Sequence, residues 1–400
     1  MDFLLNIFFF VFGLWSFVFT LYLFLVTVGA YFFRRRSDPT KPPLKLAVVI
    51  PAYNEAREIE KVIQSIKDSY YPINKFRIIV LADNCTDRTA EVSRQAGAEV
   101  VERDDPLNPG KGQALDWLFT AKKDIFAEEE AIILIDADAV VDPYFLSQMS
   151  SSLSAEGVKI VQSFNGVSNP ISSWRTSLSV IAFDLVNYIR LKGRNFLGGT
   201  AGPKGNGVGF SKEVVLKSGW PAKSIVEDLE FSLLLLDEGV KVQFNPLAKV
   251  YSEMAVFMSQ AQAQRMRWEG GRWHLIRSEC FVLLKKFICS GKWAYLEAWL
   301  DLLFPPLTIW LLLNFGLLIL AFIASSFAVK IFLTALIVSG FYVLSGLILR
   351  RAPLHVWGHL FVAPVFILWK IPLYFKILFG KVGHKWERTQ RKSEFHDSKK

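Results

Sequence analysis

Two kinds of residue are scarce in this sequence. Cysteine occurs three times among 400 residues, as Cys85, Cys280 and Cys289. These are too few and too scattered for a disulfide framework or a zinc site, so we expect reduced thiols. Charged residues are absent from the run between Phe3 and Phe33. That run exceeds the roughly 20 residues that cross a bilayer, and it predicts a membrane helix.

The residues on either side of this run indicate its orientation. Met1-Asp2 precedes it without Lys or Arg, so we expect a retained anchor rather than a cleaved signal peptide. Arg34-Arg35-Arg36 follows at once. We therefore expect residues 1–36 to form an N-terminal transmembrane helix. Because basic residues tend to stay on the cytoplasmic side, its N-terminus is expected to lie outside. The chain after it is then expected to be cytoplasmic.

The composition is basic and apolar, with a net charge of +9 and 52% hydrophobic residues. A basic excess can indicate a nucleic-acid partner. Here many Lys and Arg flank apolar runs, so orientation in a membrane explains them more simply. We therefore predict contact with membrane lipids and no nucleic-acid partner.

Residues 44–255 alternate short apolar runs with segments of helical spacing. This alternation predicts βαβ units, and hence an α/β domain around a mostly parallel sheet. Such sheets bind ligands beyond the carboxyl ends of their strands. The predicted strands are residues 45–50, 76–83, 98–103 and 131–138.

Beyond this domain the chain becomes amphipathic and then apolar. Residues 256–300 mix charged and aromatic residues, which is typical of helices at a membrane interface. Residues 301–380 are predicted to hold the C-terminal membrane helices, with spans at 302–324 and 328–349. The last apolar stretch, 354–379, is interpreted as interfacial or re-entrant, because a further span would carry the basic tail 381–400 out of the cytoplasm.

Asp136 and Asp138 stand one residue apart at the end of the fourth predicted strand. Two carboxylates so placed repel each other, and a divalent cation would relieve the repulsion. Oxygen ligands suit Mg²⁺ or Mn²⁺. Alternatively, both acids could cap the next helix or lie in solvent.

Glu227 and Asp228 begin a predicted helix. Either acid could merely complement the helix dipole. An Asp that faced a pocket could instead act as a general base toward a hydroxyl.

Three further polar residues follow predicted strands or lie between glycines. Lys111 could reach a phosphate or be a solvated loop lysine. Tyr53 could stack on a base or pack within the domain. Asp83 could accept a hydrogen bond from a base or ribose, although Asp83 and Asp87 could equally be turn residues without a ligand.

The stretch from Gln262 to Trp273 gathers arginines and tryptophans next to the apolar half of the chain. Gln264, Arg267 and Trp268 have helical spacing that places them on one face. That face could bind an anionic or sugar-bearing ligand, since Arg binds phosphate through two parallel hydrogen bonds. Anchoring at the membrane interface is the alternative, and it suits Arg265, Arg272 and Trp273.

Taken in order, five motifs resemble those of the membrane-integrated family 2 glycosyltransferases, which include bacterial cellulose, hyaluronan and poly-N-acetylglucosamine synthases. The motifs are Pro-Ala-Tyr-Asn-Glu, Ala-Asp-Asn, Asp-Ala-Asp, Glu-Asp and Gln-Arg-Met-Arg-Trp. They cover residues 45–268. The resemblance implies an α/β GT-A (Rossmann-like) domain with helical membrane segments, inverting transfer, and a nucleotide-sugar donor, with UDP favoured over GDP.

The resemblance also implies roles for single residues. The residues implied to bind the nucleotide-sugar are Tyr53, Glu55, Asp83, Lys111 and Asp136. Asp138, together with Asp136, would bind the metal. Asp228 would be the general base, with Glu227 beside it. Gln264, Arg267 and Trp268 would meet the acceptor sugar and the diphosphate. More weakly, Trp386, Thr389 and Arg391 resemble a gating segment that closes over the diphosphate.

Two features depart from the polymerising members of that family. Their aromatic-Cys-Gly-Ser segment is replaced by the glycine-rich residues 196–210, and about three spans are readable. The leading hypothesis is a transferase in the inner (plasma) membrane that builds a saccharide or polysaccharide. Single transfer to a lipid or lipid-linked acceptor is the alternative, and a catalytically inactive membrane scaffold is a third.

Overall fold

A computed structural model describes residues 2–170, 172–222, 224, 226–254 and 258–378. The chain forms two compact units. The sheet unit comprises the described residues of Arg34–Ser172 and Thr200–Trp273, and the helical unit comprises those of Met1–Phe33, Ser173–Gly199 and His274–Lys381. The sequence predicts one continuous sheet domain over residues 44–255, whereas in the structure Ser173–Gly199 belongs to the helical unit.

The sheet and the helices are numbered along the chain. The strands are β1 (Leu46–Ala52), β2 (Phe76–Asp83), β3 (Glu99–Arg103), β4 (Ala131–Leu134), β5 (Ala139–Val141), β6 (Ile160–Val167), β7 (Val208–Ser211) and β8 (Val242–Ser252). The helices of the sheet unit are α2 (Ile59–Lys67), α3 (Thr89–Gln95), α4 (Lys111–Ala121), α5 (Phe145–Leu153), α8 (Lys212–Ser218), α9 (Glu227–Asp237) and the start of α10 (Met258–Ser290). The helical unit contains α1 (Asp2–Phe32), α6 (Trp174–Asp184), a π-helical turn (Leu185–Ile189), α7 (Arg190–Phe196), α11 (Trp293–Leu303), α12 (Leu307–Ala324), α13 (Ser326–Leu349), α14 (Leu354–Gly358) and α15 (Ala363–Leu378).

The first half of the sheet has the predicted parallel arrangement. Strands β3, β2, β1 and β4 lie side by side in that order and are all parallel. They are short apolar runs because helices cover both faces of a parallel sheet. Helix α2 shows the pattern: Ile59, Val62, Ile63 and Ile66 recur at helical spacing and are all buried against the strands.

The second half of the sheet is mixed, which the alternation of strands and helices did not predict. Beyond β4 the order continues β7, β6, β8 and β5. Strand β7 is antiparallel to both β4 and β6, whereas β6 and β8 are parallel. Because strand direction reverses between β4 and β7, the loop before β7 lies at the carboxyl end of β4. Loops from both halves therefore meet there, as they do at switch points of open α/β sheets.

The segment between α1 and β1 is held along α5 and is called the strap, residues 34–44. Its main chain and side chains exchange hydrogen bonds with a run of serines in α5. The pairs are Ser152 Oγ to Arg36 O at 2.9 Å, Asp38 N to Ser151 O at 2.8 Å, and Leu44 N to Ser150 Oγ at 3.0 Å. The strap is therefore an ordered part of the sheet unit.

Among the described residues, the helical unit contains two helices that are long and apolar enough to cross a membrane, namely Phe3–Phe32 and Ser326–Leu349. A third crossing is reached if Trp293–Leu303 and Leu307–Ile323, which meet at a 76° bend, count as one span. The predicted span 302–324 begins at this bend. The last apolar stretch is broken into α14, a 3₁₀ turn and α15, and α15 contains Pro372.

A buried cluster of charges joins three helices of the helical unit. Arg194 of α7 contacts Glu297 at 2.5 Å and Asp301 at 2.9 Å, both on α11. Arg190 contacts Asp301 at 2.6 Å, and Tyr22 of α1 donates to Glu297. Two arginines face two acids, so the cluster is neutral. Removal of either partner would leave a buried charge, which costs several kcal/mol.

Helices α1 and α7 approach closely where Gly193 faces Val26. A β-carbon on Gly193 would lie 2.6 Å from the carbonyl carbon of Val26. We expect Gly193→Ala to lower the free energy of unfolding by about 1–3 kcal/mol through overpacking. Thermal unfolding in detergent measures the change.

Gly316→Ala is the matched control, because this glycine also lies in a helix and a β-carbon there would meet nothing within 4 Å. Alanine favours a helix over glycine by about 1 kcal/mol. Gly316→Ala should therefore hold or raise the unfolding temperature. Equal effects of the two substitutions would contradict the close packing of α1 and α7.

Candidate active site

The turns after β1 and β2 are tied together at the carboxyl edge of the parallel strands. Asn54 and Asn84 adopt positive φ values of 55° and 51°, as short polar side chains can in tight turns. The Asn54 side chain accepts from Thr86 N at 2.8 Å, and Glu55 N donates to Thr89 Oγ1 at 2.8 Å. Both turns therefore form one rigid surface that includes Tyr53 and Glu55.

Asp87 belongs to this turn structure. Its carboxylate accepts from Thr89 N at 2.9 Å and from Ala56 N at 3.1 Å. The interpretation of Asp87 as a turn residue therefore accounts for its contacts. Tyr53 is 38% exposed, so its ring is not packed within the core.

Asp83 is paired with an arginine that sequence reasoning missed. Arg103, the last residue of β3, contacts Asp83 at 2.5 Å and Asp105 at 2.8 Å, and its side chain is 5% exposed. Asn84 also donates to Asp83, at 3.1 Å. Burial raises the pKa of Asp83, and Arg103 opposes the rise. Because a carboxylate has about four acceptor positions, Asp83 keeps the capacity to accept from a further ligand.

Lys111 lies among acids rather than in solvent. It is the first residue of α4 and follows Gly110, whose φ is 124°. Its Nζ contacts Asp136 Oδ1 at 2.6 Å and the Gly205 carbonyl oxygen at 2.6 Å, and it lies 4.0 Å from Glu227. Burial alone would lower the pKa of Lys111, but the charges of Asp136 and Glu227 raise it.

Asp136 and Asp138 occupy the turn beyond β4. This turn leads into β5, not into a helix, so neither acid caps a helix as the alternative interpretation supposed. Asp136 N donates to the side-chain oxygen of Asn206 at 3.1 Å. The turn is therefore fixed by its main chain while the Asp136 carboxylate contacts Lys111.

Glu227 and Asp228 form the first turn of α9. Burial raises the pKa of Glu227 to about 7 against the opposing charge of Lys111, and Asp228 adds to the rise. Burial also raises the pKa of Asp228, and Lys204 opposes that rise. A β-carbon on Gly205 would lie 3.6 Å from Asp228 Oδ2, so the glycine-rich loop passes directly beside this carboxylate.

Helix α10 contains the predicted Gln264, Arg267 and Trp268 in one continuous helix. A β-carbon on Gly271 would overlap a methyl group of Val226, the residue that precedes Glu227. The helix therefore packs directly against the start of α9. The predicted gating residues Trp386, Thr389 and Arg391 lie outside the described residues.

The glycine-rich loop was noted in the sequence only as a departure from a pattern. Its glycines at 202, 205 and 207 have positive φ values of 68°, 74° and 66°, so the string of glycines marks a loop that few other residues could form. It brings the Gly205 carbonyl to Lys111 and the Asn206 side chain to Asp136. Chemically, the arrangement gathers the carboxylates of Asp136, Glu227 and Asp228 around one ammonium group, where a polarised hydroxyl could lose its proton.

Residues 42–271 match the family described as "Glycosyltransferase like family 2". The chain belongs to this family.

Relatives of this glycosyltransferase differ in what they build. It is 26% identical over 276 residues to the beta-monoglucosyldiacylglycerol synthase of Nostoc sp., with 67% of this chain and 56% of that protein covered. It is 24% identical over 268 residues to the poly-beta-1,6-N-acetyl-D-glucosamine synthase of Staphylococcus aureus, with 63% of each covered. The match therefore spans less than two thirds of the length of either relative.

A similar solved structure is the mannosyltransferase PcManGT from Pyrobaculum calidifontis, in complex with GDP-Man and Mn²⁺. It is 19% identical, covers 89% of this chain and 99% of its own, and has a TM-score of 0.48.

The contact between Lys111 and the acids predicts a measurable titration. Glu227 should take up a proton near pH 7. Lys111→Met removes the opposing cation, so the pKa of Glu227 should rise, and the group should be protonated over a wider pH range. Infrared spectroscopy of the protonated carboxyl band, assigned with Glu227→Gln, would follow this titration.

Lys212→Met provides the control, because Lys212 contacts the carbonyl of Ala127 at 2.8 Å and lies away from these acids. It should leave the band unchanged. A band that titrates identically in Lys111→Met and in the unmodified chain would contradict the contact.

Proposed function

We propose that the protein is an inverting, membrane-bound glycosyltransferase that transfers a sugar from a nucleotide-sugar, with UDP favoured, to a saccharide or polysaccharide acceptor. The observation that carries this proposal is the gathering of Asp136, Glu227 and Asp228 around Lys111 at the carboxyl edge of the sheet. In a family 2 glycosyltransferase this edge is where a donor would lie.

Asp228 is the proposed general base. A carboxylate whose pKa is raised by burial accepts a proton from a hydroxyl more readily than a solvated one. The deprotonated acceptor oxygen would attack the anomeric carbon from the face opposite the diphosphate, which breaks the bond to the diphosphate and inverts the anomeric centre. Glu227, protonated up to about pH 7, would hold the acid cluster together beside Lys111.

The donor would lie along the turns that follow β1 and β2. Tyr53, Glu55 and Asp83 are the proposed nucleotide residues there. The exposed face of Tyr53 suits stacking on a base, and Asp83 is oriented by Arg103. Gln264, Arg267 and Trp268 on α10 are proposed to meet the diphosphate and the acceptor sugar, since α10 packs at the start of α9.

A divalent cation, Mg²⁺ or Mn²⁺, fits the turn that contains Asp136 and Asp138, because the side chains there supply oxygen ligands. Among the described residues, no group of three or more His, Cys, Asp or Glu could hold a metal. The remaining ligands would therefore be diphosphate oxygens and water. When bound, the cation would neutralise charge that develops on the leaving diphosphate.

The same proposal places the protein in the plasma (inner) membrane as a multi-pass protein, with the sheet unit cytoplasmic. Arg34–Arg36 after α1 and Arg350–Arg351 after α13 support this orientation, because each follows an apolar helix long enough to cross. Trp386, Thr389 and Arg391 keep their proposed gating role on the cytoplasmic side.

Asp228→Asn tests the catalytic assignment. The substitution keeps shape but removes the base, so kcat should fall about 100- to 10,000-fold while the unfolding temperature and donor binding are kept. Nucleoside diphosphate release from a panel of UDP- and GDP-sugars measures turnover. Asp237→Asn, at the exposed end of the same helix, should leave turnover unchanged.

Unaltered release by Asp228→Asn would remove Asp228 from the mechanism. If no sugar nucleotide is turned over by the unmodified chain in a membrane extract with its own lipids and saccharides, the inactive scaffold becomes the better account.

A single transfer to a lipid acceptor is the second candidate function. It is favoured by the match to the Nostoc lipid glucosyltransferase, which covers the larger share of this chain, and by the two or three available crossings. Mass spectrometry of the product separates the two functions. A ladder of sugar additions supports the first, and one sugar on diacylglycerol or a polyprenyl phosphate supports the second.

A further inference from the structure

Asn206 is buried at the junction of the two halves of the sheet. It is 1% exposed and lies in the glycine-rich loop immediately before β7. Its side chain makes one hydrogen bond on each side: Oδ1 accepts from Asp136 N at 3.1 Å, and Nδ2 donates to Ser252 Oγ at 2.9 Å. One amide therefore connects the turn after β4 to the end of β8.

The orientation of this amide follows from its partners. The main-chain N–H of Asp136 can only donate, so the Asn206 atom that faces it must be the oxygen. The nitrogen then faces Ser252, whose hydroxyl can accept from Asn206 and donate onward to Asn165 at 3.4 Å. A side chain with both an acceptor and a donor is needed at this buried position.

The loop around Asn206 is itself held by a second buried amide. Gln162 of β6 is fully buried, and its Nε2 donates to the Asn206 carbonyl at 2.8 Å. Its Oε1 accepts from Lys204 N at 2.8 Å. Gly207 N donates to Leu134 O at 3.0 Å, which joins the loop to β4. The loop is therefore fixed on both sides of Asn206 and can brace another element.

We propose that Asn206 is a positioning residue that fixes the main chain of the Asp136–Asp138 turn, so that these two carboxylates hold the divalent cation of the sugar donor. The inference rests on the proposed function. Asn206 acts through Asp136: it contacts the main chain of the turn, while the Asp136 carboxylate contacts Lys111. Without the hydrogen bond from Asp136 N to Asn206, the turn would no longer be held in one conformation.

Mn²⁺ binding in the presence of UDP or GDP tests the brace directly, with free Mn²⁺ measured by electron paramagnetic resonance on the full-length protein. Asn206→Ala should weaken Mn²⁺ affinity about 10- to 100-fold, the usual effect of losing a residue that supports metal ligands. Asn206→Asp keeps an acceptor toward Asp136 N but loses the donor toward Ser252, so it should weaken Mn²⁺ affinity less than Asn206→Ala does.

Asn245 supplies the matched control, because it is an equally buried asparagine of the same unit, at 1% exposure. Its amide donates to Gln148 O and Ser152 Oγ, both at 2.9 Å, and accepts from Leu247 N at 2.9 Å. Asn245→Ala should lower the unfolding temperature about as much as Asn206→Ala and leave Mn²⁺ affinity unchanged. A merely structural role for Asn206 would make the two variants alike.

Ser252→Ala keeps the inference testable if Asn206→Ala does not fold. It removes the partner that orients the amide without changing Asn206, and one such hydrogen bond corresponds to an effect of about 2- to 10-fold on Mn²⁺ affinity. If Asn206→Ala folds and its Mn²⁺ affinity is unchanged, the inference is overturned while the proposed function stands. If only Ser252→Ala folds, unchanged affinity in that variant has the same consequence. Failure of the unmodified chain to bind Mn²⁺ with either nucleotide overturns both the inference and the metal site of the proposed function.

Discussion

The ammonium group of Lys111 makes the acid cluster possible. Asp136, Glu227 and Asp228 carry three carboxylates on two separate elements, and these would repel one another in a buried position. Lys111 contacts Asp136 directly, lies near Glu227, and also donates to the Gly205 carbonyl. One cation thus joins α4, the turn after β4, the glycine-rich loop and the start of α9. The remaining site contacts are arranged around this centre.

The architecture explains how loops so distant in sequence reach that cation. Parallel strands place all their carboxyl ends at one edge, so Asp83 and Asp136 lie at the same edge although about fifty residues separate them. Strand β7 then reverses direction beside β4 and brings the glycine-rich loop to the same edge. In a wholly parallel sheet the loop before a strand lies at the amino edge. Because β7 is antiparallel to β4, the loop before it lies instead at the edge where the acids are.

Sequence reasoning succeeded where the signal was local. The apolar runs of β1 to β4 and the helical spacing of α2 were enough to place the first half of the sheet, and with it Asp83, Lys111 and Asp136. It failed for β6 to β8, because their pairing joins residues more than eighty positions apart, such as Ile160 and Val242, and leaves no periodic signal in the sequence. The direction of β7 could not be read from its four residues, and the mixed half of the sheet was therefore missed.

The positions of single polar residues were the least predictable. Arg103 ends a short strand with three charged residues, so a solvent-facing side chain would be expected, yet it is buried against Asp83. Asn206 reads as one polar residue in a glycine-rich loop, although its amide bridges two strands of the sheet. Both owe their roles to partners twenty to seventy residues away. The acids proposed to be catalytic could be singled out because their motif, unlike the residues that support them, resembles that of a known family.

The strap between α1 and β1 has a consequence for the way this chain tolerates changes in length. A loose tether can gain or lose residues at little free-energy cost, since closing a flexible loop depends only weakly on its length. The strap instead matches α5 serine by serine, from Arg36 against Ser152 to Leu44 against Ser150. An inserted residue would shift every later contact out of register. The strap therefore belongs to the sheet unit as its first segment. If α1 were replaced by another helix, the new helix would have to be joined before Arg34.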